Sequence, residues 1–338
     1  SHQLDTLLVY RKFTENVTSE LSTAMETKKS NPKRQHYVPA CYLREFVDPR
    51  DGLLWVFSKD GKNVRRQKPE KTFTSNHLYT INISGNKDYR IEQTLSNIEG
   101  NYAGVFQNKI KKKLPLTDYE HIILCVFVAA QLQRTLRMKK NHENFIQQII
   151  EHGKQLLIVH GKDTNSKKIQ EWESYKNDIH KLQLLDGLPF LTNILHQMSV
   201  AFVCSANAQK HWFITSDDPC TLFNPDLQWQ RFYGPGFGQK NAQLTMPLSP
   251  EITVLFCWAN YHGYSFADAH TVEEMMNRMT RGRCHKEFVS PSGNRKWIWF
   301  SRVPLDPIFL IKVLKTRFRF FLHDIKAKWR RRKYKRYG

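Results

Sequence analysis

The stretch Arg34-Gln35-His36-Tyr37-Val38-Pro39-Ala40-Cys41-Tyr42-Leu43-Arg44-Glu45-Phe46 constrains this chain more than any other. Pro39 suits the first turn of a helix, where its missing N–H leaves no bond unmade. A short helix starting near Pro39 buries Cys41, Tyr42 and Phe46 on one side. His36 then stands just outside a helix N-terminus, where backbone N–H groups attract anions. That position suits a phosphate. It equally suits a histidine that only caps or packs.

A chain of 338 residues with 40% hydrophobic content can bury a substantial core, as one large domain or two ordinary ones. The charge is the outlier. A formal +21 points to a polyanionic partner, either nucleic acid or an acidic membrane surface. Cys41, Cys125, Cys204, Cys220, Cys257 and Cys284 form no C-x-x-C pair and mostly sit among apolar neighbours. They predict buried free thiols in a reducing compartment, not a zinc site built on cysteine. The longest apolar run, 122–130, is too short to span a bilayer, and no signal-peptide pattern opens the chain. The expectation is a soluble, cytoplasmic protein without a transmembrane segment. Met25 would serve as a native start, with the residues before it an extension.

Beyond the opening motif, 53–58 and 63–67 read as strands of a hairpin and 77–83 as a further strand. Residues 89–113 carry Ile91, Leu95, Ile98, Tyr102, Val105 and Phe106 at helical spacing, with Glu92 and Glu99 on nearly one side. Thr117-x-x-Glu120 is a capping-box signature for an apolar helix running to about Lys140, with Gln131 and Arg134 on one face. Polar helices follow over 141–183, with a loop near 161–167. Residues 189–206 read as a helix begun by Pro189. The second half predicts strands at 210–215, 243–247, 251–258, 286–290 and 296–301, and a helix over 271–283 containing Asn277. The expected fold is α+β: a helix-rich domain with small antiparallel β elements around a shared polar pocket. Its expected divisions are an N-terminal extension (1–33), a single domain (34–303) and a basic aromatic tail (304–338).

Read in order, these motifs resemble the domain-of-unknown-function 4238 family. The likeness rests on His36-Tyr37-Val38-Pro39 with Tyr42-Leu43 and Phe46, and on Ile91-Glu92 and Ile98-Glu99. It continues through Gln131-x-x-Arg134-Thr135, Phe213-Ile214-Thr215-Ser216-Asp217-Asp218-Pro219 and Pro247-Leu248-Ser249-Pro250. A helix bearing Asn277 before Glu287-Phe288-Val289 closes it, so the resemblance covers about 34–290. This chain has Leu136 where the family pattern has proline, and Asp218 where it has asparagine. The resemblance implies a shared fold and a shared site, but no reaction.

Polar residues on core-facing surfaces are costly unless they pair or serve a site. If these converge, His36 supplies a general acid/base, Arg134 an anion clamp, and Glu99 and Asp217 carboxylates. Tyr37, Gln131, Ser216 and Asn277 would orient a substrate or stabilise developing charge. Such a set fits phosphodiester cleavage, with RNA favoured, in the manner of a toxin or phage-defence nuclease. Mg²⁺ on Glu99, Asp217 and Glu92 is the alternative use of the carboxylates. No H-N-H or H-E-x-x-H pattern is present, and the remaining histidines have no metal-site spacing. Structural readings stand beside each of these. Arg134 with Glu99 also makes a buried ion pair, Asp217 a turn cap, and Asn277 a partner for buried backbone. A non-catalytic nucleic-acid-binding protein and a nucleotide-acting enzyme are the competing functions.

Residues 312–338 hold twelve Lys/Arg against the single Asp324, a net +11 of the total +21. Lys326, Lys328, Arg330, Arg331, Arg332, Lys333, Lys335 and Arg336, with Trp329 among them, are the nucleic-acid-binding candidates. Cations neutralise phosphates and release counterions, while aromatics stack on unpaired bases. Contact with an anionic membrane is the competitor. Deleting 312–338 is expected to weaken salt-dependent retention on single-stranded nucleic acid at least tenfold. A filter-binding titration at several salt concentrations checks this, and unchanged affinity would rule the tail out as the footprint.

Overall fold

A computed structural model describes residues 33–83, 86–164, 166–176, 178–227 and 234–301. The N-terminal extension and the basic tail, with its nine nucleic-acid-binding candidates from Lys326 to Arg336, lie outside these described residues.

The architecture is built around one helix. Thr117 and Glu120 form the expected capping box: the Thr117 hydroxyl accepts from the Glu120 N–H (3.3 Å), and the Glu120 carboxylate accepts from the Thr117 N–H (2.8 Å). The helix they open, Asp118–Gln133, is buried at every position from Ile122 to Ala130. A helix that is apolar all round must be enclosed on all sides. Arg90–Val105, extended by a π-type segment Phe106–Ile110, and Ile179–Gln197 pack against it. Gly187 permits the closest approach, since a Cβ there would lie 2.4 Å from Gln133 Nε2. In chain order the helices are α1 Ala40–Leu43, α2 Arg90–Val105, α3 Asp118–Gln133, α4 Leu136–Val159, α5 Lys167–Tyr175, α6 Ile179–Gln197 and α7 Arg278–Arg283.

Two larger sheets complete the α+β fold. One is antiparallel, ordered β3 (Val64–Gln67), β2 (Leu54–Ser58), β13 (Glu287–Ser290), β8 (Thr215–Ser216). The other is ordered β12 (Gly263–Ala267), β7 (Ser199–Ser205), β11 (Ile252–Cys257), β10 (Gln243–Pro247), β9 (Thr221–Phe223). Its β12–β7 pair is parallel, against the antiparallel expectation. Two short ribbons pair β1 (Arg34–His36) with β4 (Thr74–Asn76), and β5 (Ile81–Ile83) with β6 (Asn86–Asp88). A hydrophobic cluster runs continuously from Tyr37 in the opening motif to Val289 on β13.

Several expectations are corrected. The helix expected to reach Lys140 breaks at Arg134, because extended Thr135 caps a new helix, its hydroxyl accepting from the Met138 N–H. Leu136 is therefore the first residue of α4, a position that proline also favours. The helix expected over 189–206 is instead the end of α6, with Pro189 inside it, followed by strand β7. Ladders on both sides of β7 outweigh the helical reading of its short apolar run. His77, at φ +49°, turns the chain out of the strand expected over 77–83. Residues 210–215 contribute only Thr215 to a strand, since the Ile214 N–H is taken by the Asn277 side chain. The strand expected over 296–301 is a 3₁₀ turn, Trp297–Trp299, whose Trp299 is fully buried against Phe288.

Thr117→Ala removes the cap from the central helix and is expected to cost about 1 kcal/mol, whereas Thr117→Asp restores most of it. Urea unfolding with an unchanged m-value checks both.

Candidate functional site

The alternation of a strand sets the site's edge. Along β1, Arg34 is exposed, Gln35 buried and His36 half-buried, so Arg34 and His36 share a side. Gln35 anchors the strand from beneath: its amide donates to the Thr80 hydroxyl (3.1 Å), and its carbonyl accepts from the Tyr79 N–H (2.7 Å). His36 Nε2 faces the Pro69 carbonyl at 3.4 Å. That contact favours the proton on Nε2 and leaves Nδ1 as the basic atom.

Behind His36 lies Arg134, 2% exposed, at the break between α3 and α4. Its guanidinium donates to Glu99 Oε1 (2.7 Å) and to the His36 carbonyl (2.5 Å), and it lies over the Tyr79 ring at 5.7 Å. The Tyr79 hydroxyl donates to the Arg134 carbonyl at 2.9 Å. One helical turn earlier, Gln131 donates to the Tyr37 carbonyl at 2.9 Å. The QxxRT motif therefore grips two consecutive carbonyls of the opening motif.

The electrostatics follow from burial around this cation. Burial opposes the Arg134 charge, but Glu99 and Tyr79 more than restore it, and its pKa stands above the ordinary value. Burial lowers the His36 pKa, so the ring is neutral at pH 7, although its bond to Pro69 and the nearby Glu99 pull the other way. Burial raises the Glu92 carboxyl to about 7 despite Arg134, with Glu99 adding to the rise. Glu92 Oε2 is buried with no hydrogen-bond partner. Cys41, half-buried and under the same two charges, is raised to about 11, chiefly by burial. The structure thus brings together His36, Glu99 and Arg134, with Gln131 beside them. It adds Glu92 as a group able to exchange a proton near neutrality.

The other expected residues lie apart from this cluster. Asp217 accepts three backbone N–H groups, from His285 (2.7 Å), Lys286 (2.6 Å) and Glu287 (3.1 Å). It staples β8 to the start of β13, and its oxygens are engaged there instead of being open to Mg²⁺. The Ser216 hydroxyl, fully buried, accepts from the Asp218 N–H, and Asp218 pairs with Arg137 at 2.9 Å. Asn277, also fully buried, accepts from the Ile214 N–H (3.0 Å) and donates to the Trp212 carbonyl (2.7 Å). Its amide fixes the approach to β8. Tyr37 is the link between the two regions: its buried phenol is held up first by burial and next by the Asp217 charge. A cavity of about 510 Å³, lined by Asp48, Arg50, Trp55 and residues 291–294, contains none of these residues.

The contribution of Arg34 was readable in the period-two alternation of Arg34-Gln35-His36. Tyr79 had no sequence signal, because a single strand-end tyrosine does not announce a cation above its ring. In comparison with known proteins, the family model described as Protein of unknown function (DUF4238) matches residues 34–293. No curated protein and no solved structure matches the chain.

Arg134→Met is expected to destabilise the fold by about 3–5 kcal/mol, because Glu99 and the His36 carbonyl lose a buried partner. Glu99→Gln should cost less, and the double substitution less than the sum of the two. A double-mutant cycle by denaturant unfolding measures that coupling.

Proposed function

We propose a nuclease function for this chain, which belongs to the DUF4238 family of proteins of unknown function. The observation that carries it is buried Arg134 bonded to Glu99 and to the His36 carbonyl, with half-buried His36 and Glu92 both within its field, on a chain of charge +21. His36 is held neutral and Glu92 titrates near 7, so one base and one acid coexist near neutral pH. In RNA cleavage, His36 takes the 2′-OH proton as the 2′-oxygen bonds to phosphorus. Glu92 gives its proton to the departing 5′-oxygen, leaving a 2′,3′-cyclic phosphate and a free 5′-hydroxyl. Arg34, exposed on the His36 side of β1 with one terminal nitrogen donating to Thr74 Oγ1 (2.9 Å), supplies the phosphate contact first assigned to Arg134, which is buried with both terminal nitrogens engaged. Arg134 and Glu99 act here as positioning residues. The basic tail supplies the non-specific hold on the polyanion.

A second reading, nucleic-acid binding without catalysis, draws support from the engagement of Arg134, Gln131, Asp217 and Asn277 in bonds within the fold. The two readings separate on turnover.

Purified protein is expected to degrade RNA, with His36→Ala lowering the rate by about 10²-fold or more while the circular dichroism is unchanged. The rate should rise with pH through the His36 pKa, below 6.5, as the base loses its proton. It should fall above about pH 7 as the Glu92 acid ionises. Glu92→Gln removes that alkaline limb. Intact RNA, single-stranded DNA and duplex DNA, with and without Mg²⁺, would overturn the nuclease reading in favour of binding alone.

A further inference from the structure

Away from that cluster, three metal-ligating side chains meet between α3 and α6. His121 and Cys125 are one helical turn apart on α3, and so share a face. His196 comes from the last turn of α6. One ligand atom from each, two ring nitrogens and Cys125 Sγ, lie within 4.8 Å of one another. The two imidazole rings stand 5.1 Å apart at 44°. Among the described residues, no other three His, Cys, Asp or Glu side chains converge in this way.

Besides this convergence, one feature points to a ligand: His121 Nε2 and His196 Nδ1 are both buried without a hydrogen-bond partner. Buried polar atoms are ordinarily hydrogen-bonded, so two left unpartnered side by side need an explanation. Cys125 is a free thiol, fully buried, and its burial keeps it protonated until a cation displaces the proton. Asp118, in the first turn of α3, adds a negative charge that both rings feel, and His262 faces His121 from the segment before β12.

We propose that His121, Cys125 and His196 form a transition-metal site that takes Zn²⁺. Two imidazoles and one thiolate are a borderline-soft donor set of the kind zinc prefers. Zn–N bonds of about 2.0–2.1 Å and a Zn–S bond of about 2.3 Å require ligand atoms roughly 3.3–3.6 Å apart in a tetrahedron. The three atoms already lie within 4.8 Å of one another. On binding, the Cys125 S–H proton leaves to solvent and the sulfur bonds zinc as thiolate. Three protein ligands leave the fourth position to water or an external ligand. The ion would clamp α3 to α6, and α3 carries Gln131 and Arg134 at its far end. The site is independent of the nuclease reading, because none of its ligands belongs to the His36 cluster.

Sequence spacing pointed away from metal because only His121 and Cys125 are close in the chain. The third ligand arrives through the packing of α6 on α3.

The test uses the full chain, stripped by chelator and reloaded. One equivalent of zinc is expected to survive desalting, and Co²⁺ should give a thiolate-to-cobalt charge-transfer band with tetrahedral visible bands. Zinc at about 100 times its Kd should raise the Tm by about 5 °C. Cys125→Ser abolishes the charge-transfer band, and His196→Gln weakens zinc at least tenfold. His142→Gln, on α4, leaves both unchanged. His196 is half-buried, so its variant decides the matter if Cys125→Ser does not fold. No charge-transfer band at saturating Co²⁺, or zinc retained equally by His196→Gln, would overturn the proposal.

Discussion

Burial of the Arg134 guanidinium is the constraint on which the rest of this structure depends. A charge at 2% exposure is tolerable only with partners, and here a carboxylate on α2 and a backbone carbonyl on β1 engage both terminal nitrogens, while Nε is buried without one. The arrangement forces three choices. Helix α3 must stop where the side chain turns inward, α2 must present Glu99 to it, and the opening motif must run past with its carbonyl facing inward. Gln131 repeats the same logic one turn earlier, on the next carbonyl. A segment too short to hold itself is thereby fixed in place by a helix far from it in sequence.

From that fixed segment, order passes to the sheets through Tyr42. Its hydroxyl lies 2.5 Å from Thr215 Oγ1 on β8 and donates to the Pro247 carbonyl (2.6 Å) at the end of β10. One fully buried phenol thus joins α1 to both larger sheets. The TSDDP segment repeats the pattern: Thr215 meets Tyr42, Ser216 and Asp217 hold backbone N–H groups, and Asp218 pairs with Arg137 on α4. The Tyr42 and Arg137 bonds join elements that share no ladder, while the Asp217 bonds reinforce the β8–β13 pair. Each is worth only about 1 kcal/mol net when made, and more than that when one partner is removed. The motifs therefore specify one arrangement of the core more than they deepen it.

Local signals in the sequence were reliable wherever a side chain acts on its own neighbours. The Thr117–Glu120 box, the strands β10 and β11, and the helical stripe of α2 depend on nearby residues, and the structure has all three. Failures fell where a distant partner decides. Strand β7 reads as helix until β11 and β12 flank it, and 210–215 reads as strand until Asn277 takes the backbone N–H that a ladder would need. Site chemistry divides in the same way. His36, Glu99 and Arg134 were legible as a polar set. Which of them faces solvent was not, because half-burial is a property of the packed elements. Glu92 was visible as a carboxylate in register with Glu99, while its pKa near 7 arises from enclosure that only the tertiary structure supplies.

The structural and catalytic readings of Arg134 are compatible through its field. Burial closes it to a phosphate, with both terminal nitrogens engaged, yet its charge reaches His36, Cys41 and Glu92. On each of these groups it acts against protonation, while Glu99, held at 2.7 Å, acts the other way. The ion pair therefore presents a dipole of fixed orientation to the half-buried groups in front of it. Burial, not a net neighbouring charge, then decides the protonation of His36 and Glu92. Burial moves an imidazole down and a carboxyl up, which brings the two toward the same pH range from opposite sides. A buried, internally matched ion pair behind two half-buried titratable groups is thus sufficient to place an acid and a base near neutrality. The residues that build the fold and the residues that would act on substrate need not be the same ones.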